Sequence, residues 1–205
     1  MKPGDIERQS FAIIDREAGC HGFGPDEWKI VRRMIHTTAD FEYMRMVRIH
    51  SMAIEAGVGA IMSGCTIVTD TNMVRAGIRK DLLDGFGCRV ECFMADPDIA
   101  EEAVKRGITR ASAAVEKAVC LIRGGIYVVG NAPTALMHLL DIIQNGSVRP
   151  ALVVGLPVGF VNAAESKAAL VQSDIPYISN QGRKGGSNVA ASVINALALI
   201  AGERS

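Results

Sequence analysis

The sequence has no surplus of charge of either sign: Lys+Arg and Asp+Glu both number 22 in 205 residues, so the formal net charge is zero. That excludes nucleic acid or an anionic membrane as a partner drawn in by overall charge, and any anionic ligand has to be met by a local cluster of cations. Long apolar runs are missing as well. The N-terminal MKPGDIERQS carries charges where a signal peptide needs an apolar stretch, and no segment reaches the ~18 apolar residues of a membrane span, so a cytosolic protein without membrane contact is expected. Paired cysteines are lacking too. Cys20, Cys65, Cys88, Cys92 and Cys120 form an odd set with no C-x-x-C spacing. This argues against a disulfide framework or zinc knuckle and for reduced packing residues.

Several motifs that would name a chemistry are absent. In Gly182–Ser187 the lysine precedes the glycine pair, at the far end of the chain, so the segment is not a Walker A phosphate loop. Gly22-Phe23-Gly24 lacks the third glycine and the preceding strand of a dinucleotide fingerprint. His21, His36, His50 and His138 have no H-x-x-x-H or His/Cys spacing for a metal, and no Gly-x-Ser-x-Gly elbow exists.

What is present is a globular composition, 49% hydrophobic and 21% charged, of a length that suits one domain over residues 1–205. After Asp5, a plausible N-cap, Ile6, Ser10, Ile13 and Glu17 recur at helical spacing, and Gly19 stops the helix. A second helix follows Gly24-Pro25 with Trp28, Val31, Met34 and Ile35 on one face; Lys29, Arg32, Arg33 and His36 make the other face basic. It should weaken at Thr37-Thr38, and a third helix is expected through Arg45–Ala56.

Short apolar runs then alternate with helical stretches. The predicted strands are Gly59–Ser63, Arg89–Met94, Gly125–Val129, Ala151–Gly155 and Pro176–Ser179. The predicted helices are Asn72–Leu83, Pro97–Leu121 with a break near Gly107, Pro133–Gln144, Asn162–Val171 and Gly186–Ala201. Continuous apolar strands joined by crossover helices predict a three-layer α/β/α sandwich around a mostly parallel five-stranded sheet, with an N-terminal helical segment.

Ligands of such sheets sit beyond the carboxyl ends of the strands. The turns there are polar or Gly/Pro-rich and open helices: Thr69–Arg75, Gly130–Thr134, Leu156–Phe160 and Gly182–Ser187. Free N–H groups at helix starts favour carboxylates or phosphates. Arg33, Arg75, Arg110, Lys167, Arg183 and Lys184 fall where they can line that cleft, or else are solvated surface charges. The arginines beside Asp70-Thr71-Asn72 and Gly185-Gly186, namely Arg75 and Arg183, suit paired hydrogen bonds to carboxylates best. His36 is the side chain best suited to acid/base work, or else a packing residue; the helix C-terminus favours its imidazolium and Arg32 and Arg33 oppose it. Ser10 lies on the inward stripe of the first helix, where its hydroxyl can bond back to its own helix.

These residues together resemble the precorrin-8X methylmutase family over nearly the whole chain. The likeness is carried by Arg8-Gln9-Ser10-Phe11, Arg33-Met34-Ile35-His36-Thr37, Asp70–Ile78, Gly130–Leu136, Gly155–Val161 with Ala164-Glu165-Ser166-Lys167, and Gly182–Ser187. The resemblance implies an isomerase of cobalamin biosynthesis that shifts a methyl group between adjacent carbons of a tetrapyrrole, with no nucleotide, flavin or protein metal as cofactor. It implies His36 as catalytic acid/base, Ser10 and Arg33 as substrate contacts, and Thr71, Arg75, Arg110, Asn131, Gly185 and Gly186 as pocket elements; Asn72 and Arg183 join them from their place at the strand ends. It also implies a homodimer with sites near the interface. One departure is Thr37-Thr38-Ala39-Asp40 after His36, where a small residue or glycine is expected before the aspartate. Two rivals stand beside this: a non-catalytic tetrapyrrole carrier with the same pocket, and an S-adenosylmethionine methyltransferase. For the second, the first apolar run leads into Gly64-Cys65-Thr66, which lacks the glycine-rich turn required.

Overall fold

The computed structural model describes residues 3–205. Helices α1 (Pro3–Ala18) and α2 (Pro25–Thr38) come first, followed by a one-turn α3 (Tyr43–Met46), strand β1 (Val47–Ile49) and α4 (Ala53–Met62). Then alternate β2 (Thr66–Thr69), α5 (Asn72–Gly77), β3 (Arg89–Glu91), α6 (Pro97–Arg106), α7 (Arg110–Ala118), β4 (Ile126–Val129), α8 (Pro133–Gln144), β5 (Leu152–Gly155), α9 (Ala163–Val171), β6 (Tyr177–Asn180) and α10 (Ser187–Arg204).

The six strands form one sheet in the order β1-β6-β5-β4-β2-β3. All neighbours are parallel except β1, which runs antiparallel to β6. Every residue of β4, β5 and β6 is buried, as strands covered on both faces require. One helical layer has α10 at its centre, packed on α2, α4 and α5; α7, α8 and α9 pack together in the other. The expected α/β/α sandwich and its mostly parallel sheet therefore hold, with six strands in place of five.

Four predicted elements need correction. Gly59–Ser63 is not a strand but the last turn and end of α4. A short apolar run has no periodicity of its own to tell strand from helix. Here the run continues α4, which packs closely through Gly57: a Cβ there would come within 2.8 Å of Leu152 Cδ2 on β5 and 3.2 Å of Leu197 Cδ1 on α10. The third helix over Arg45–Ala56 is broken into α3, β1 and the start of α4, since the β-branched Val47 and Ile49 pair with Asn180 and Ile178 across the sheet edge. The helix Asn72–Leu83 ends at Gly77, where a Cβ would meet Ala191 Cβ at 2.8 Å, and continues only as two short 3-10 turns, Lys80–Leu82 and Asp84–Phe86. Finally, α2 does not weaken at its two threonines. Thr37 and Thr38 donate their hydroxyls to the carbonyls of Arg33 and Met34 at 2.9 and 2.8 Å and stay helical.

Asp5 lies in the first turn of α1 and is not its N-cap, while the stop signals act where they stand. Gly19 and Gly107 adopt left-handed backbone and end α1 and α6. Ala39 does the same for α2 at φ 54°, a conformation costing a residue with a Cβ about 1–2 kcal/mol. That gives a physical reason for a glycine preference just before Asp40.

Candidate active site

His36 lies in the last turn of α2, and α1 crosses beside it. Their contact leaves a groove of about 400 Å³ lined by Ser10, Ile13 and Glu17 on one side and His36, Ala39 and Phe41 on the other. The imidazole is exposed, and the edge of its ring meets Phe11 at 5.1 Å between centroids. Neither ring nitrogen has a hydrogen-bond or ion-pair partner among the described residues, so both are open to a ligand. Ser10 lines the same groove while its hydroxyl donates to the carbonyl of Ile6 at 2.9 Å. The back-bonded alternative is thus the arrangement of the free protein, and the oxygen keeps its lone pairs for a ligand donor.

The basic face of α2 is neutralised. Arg33 pairs with Glu7 at 3.1 Å and Arg32 with Asp15 at 2.8 Å, both from α1, and Lys29 bonds Asp26 and Glu203. The Phe11 ring lies under both guanidinium groups, 4.5 Å from Arg32 and 5.2 Å from Arg33. The two charges expected to oppose an imidazolium are thus compensated, and Arg33 does not line the groove that holds His36.

The strand ends form a second feature. Asp70, just beyond β2 and 1% exposed, accepts three backbone N–H groups: Gly130 at 2.9 Å on Oδ1, and Asn131 at 2.8 Å and Ala132 at 2.7 Å on Oδ2. Burial drives its carboxyl pKa up and the three donors oppose that. This corrects the sequence expectation that the whole turn opening α8 offers free donors, since Asp70 has already taken the amides of Gly130, Asn131 and Ala132. Asn131 keeps only its exposed side chain for a ligand. Thr71 caps α5 by accepting from Val74 N, and its hydroxyl lies 3.2 Å from Ser187 Oγ at the head of α10. Gly185 and Gly186 serve close packing: Gly186 N donates to Leu156 O at 2.9 Å, and a Cβ on Gly185 would come within 2.3 Å of that oxygen.

Around this ridge stand the cations. Asn72 and Arg75 share a depression of about 390 Å³ with Lys80. Arg110 is exposed at the start of α7, whose cap Thr109 lies 3.4 Å from Thr134 on α8. Arg183 is exposed above the Phe160 ring at 5.4 Å. None of these three arginines has a carboxylate partner among the described residues, which is the state a carboxylate-binding arginine needs in the free protein. Two other expected cations are occupied. Lys184 bridges Asp40 and Glu42, which raises its own pKa and holds the Asp40 carboxyl below the usual range. Lys167 is buried.

The structure therefore brings Ser10 and His36 into one groove and Thr71, Asn72, Arg75, Asn131, Arg183, Gly185 and Gly186 onto the strand-end rim. Arg110 stands beside them and Arg33 is turned into an ion pair. The rim arginines do not line the histidine groove; the link is the Asp40–Glu42 segment held by Lys184. Sequence reasoning missed Phe11, although it adjoins Ser10 in the quoted motif, and missed Asp70 as the tie between two turns.

The fold is that of an α/β protein with an exposed imidazole in a half-apolar groove and, apart from it, a strand-end rim whose Arg75, Arg110 and Arg183 have no carboxylate partner among the described residues. Residues 5–200 match the family model for precorrin-8X methylmutase. The cobalt-precorrin-8 methylmutase of Leptospira interrogans is 44% identical over 98% of this chain and 94% of its own length. The precorrin-8X methylmutase of Pseudomonas aeruginosa is 40% identical over 94% of this chain and 93% of its own. The crystal structure of precorrin-8X methylmutase from Thermus thermophilus superposes with a TM-score of 0.92 at 46% identity, covering 98% of this chain and 97% of that one. The chain belongs to the precorrin-8X methylmutase family.

Proposed function

We propose that this chain is an isomerase that moves a methyl group from C-11 to C-12 of precorrin-8X or cobalt-precorrin-8, giving hydrogenobyrinate or cobyrinate in cobalamin biosynthesis. The full-length family match carries this reading; the unpartnered imidazole in the groove supplies its chemistry. The macrocycle lies against the apolar side of the groove, and protonated His36 donates to the conjugated ring, drawing electron density toward that proton. The methyl group then migrates within the molecule to the neighbouring electron-poor carbon, and His36 recovers its proton. Substrate and product have the same atoms, so no methyl donor or redox partner is needed. The protein supplies position and charge stabilisation. Arg75, Arg110 and Arg183 take the carboxylate arms.

The site is completed by a second copy. Within one chain the histidine groove and the arginine rim are separate, and both carry exposed apolar side chains: Ile6 and Ile13 are 52% and 38% exposed on α1, Phe160 and Val161 85% and 77% on the rim. A two-fold homodimer, the commonest oligomer, buries such surfaces and encloses a flat ligand. A monomeric mass in a fully active sample would refute this arrangement.

The test of function is the visible spectrum of precorrin-8 mixed with a hundredth of its amount of protein. Complete conversion to a product of unchanged mass is expected. A spectral change that stops at the amount of protein added identifies a carrier instead.

A further inference from the structure

Among the described residues one cationic side chain lies wholly inside the protein. Lys167, on α9, is 1% exposed and has no carboxylate partner among the described residues. Its Nζ donates to Asn180 Oδ1 at 3.2 Å and to the backbone carbonyl of Lys184 at 2.5 Å. Asn180 Nδ2 donates to the same carbonyl at 2.9 Å and to Gln181 O at 3.0 Å. Burial alone pulls the ammonium pKa down to about 8, with no charged group contributing. Residues of the cavity beside it, Ala168, Val171, Gln172 and Gly182 among them, are uncharged.

An ammonium in such surroundings is costly, and an unbranched apolar side chain would fill the same space. What the lysine adds is its grip on the Gln181–Gly186 loop. That loop carries Arg183, whose carbonyl accepts from Gly159 N at 3.2 Å. It also carries Lys184, whose ammonium holds Asp40 and Glu42 at 2.6 Å for the latter, in the segment that leaves His36. The Lys184 carbonyl, fixed from below by two donors, thus anchors the residue whose ammonium joins the arginine rim to the histidine segment.

We propose that Lys167 is a positioning residue: its donor clamps the Lys184 carbonyl and sets the loop so that Arg183 meets a substrate carboxylate. The assignment rests on the isomerase reading above and adds a residue that makes no contact with substrate itself. Its reach is through Arg183.

The test uses Lys167→Met in the full chain, with Arg183→Ala and the double variant. Expected are a KM raised about tenfold, the scale of loosening one charged contact, and a kcat within about twofold. Backbone amides of Gly182–Gly186 should exchange faster with solvent. In the Arg183→Ala background Lys167→Met should raise KM no further. Unchanged KM with unchanged exchange overturns the proposal, and so does an equal KM increase in both backgrounds. If Lys167→Met does not fold, Asn180→Ala, which removes the other donor to the same carbonyl, is judged by the same outcomes. Amide exchange needs no substrate. Failure of wild-type turnover would therefore sink the isomerase reading while leaving the clamp to be judged by exchange alone.

Discussion

Asp70→Asn tests whether the rim is held together by one buried carboxylate. The aspartate accepts three backbone N–H groups with its two oxygens, and an asparagine has only one oxygen. In its better orientation the amide oxygen takes the Oδ2 position, keeping Asn131 and Ala132, and the NH2 group faces the Gly130 N–H donor to donor. A charged hydrogen bond worth about 1.5–3 kcal/mol is lost and a buried N–H is left unpaired at a further 1–3. The two surviving bonds fall to roughly half strength without the charge. Relief from burying a carboxylate offsets part of this, leaving a net loss of about 3 kcal/mol. For a chain of this size that lowers the melting temperature by about 6–12 °C. Thermal unfolding followed by circular dichroism measures it, and a change under about 1 °C would show that the turn does not depend on the charge.

Three further outcomes follow from other parts of the molecule. Arg75→Ala and Arg110→Ala, which break no ion pair, should weaken substrate binding about tenfold each without lowering the melting temperature; unchanged Kd at matched salt removes either from the site. Gly185→Ala forces a Cβ to within 2.3 Å of Leu156 O, a backbone atom that cannot move aside, so both stability and substrate affinity should fall; wild-type values for both would mean the two turns are not in fixed contact. The Lys167 pKa, lowered to about 8 from 10.5 by burial, lies below the unfolded value. The unfolded chain therefore holds the extra proton between those values, and wild-type stability should gain from pH 8 toward pH 10.5 relative to Lys167→Met. Urea titrations across that range give the difference, and a constant difference contradicts the buried ammonium.

Local signals carried most of the fold. Helix stops at Gly19 and Gly107 need only the chain around them, and the apolar runs at β4 and β5 are unambiguous because helices cover both faces. The Gly59–Ser63 run was not decidable in this way, since it continues α4, whose Gly57 packs against Leu152 and Leu197 far along the chain. The edge strand β1 is similarly created by its partner β6. At the site, His36 and the arginines were readable as residue types, but their freedom was not. Arg33 and Arg32 are neutralised by acids 26 and 17 positions away, and Asp70 takes donors from a turn 60 to 62 positions on. Whether a cation is available or an amide already satisfied is a property of tertiary contacts, and it separates Arg75, Arg110 and Arg183 from Arg33, Lys167 and Lys184.

The most direct measurement is single-turnover conversion of bound precorrin-8 by His36→Ala, with Kd measured on the same sample. The imidazole is exposed and unbonded, so its loss should leave the fold and Kd within a few-fold of wild type. Removal of a general acid should slow methyl migration about 10²–10⁴-fold. Conversion at the wild-type rate with substrate fully bound would contradict the assignment of the proton to His36.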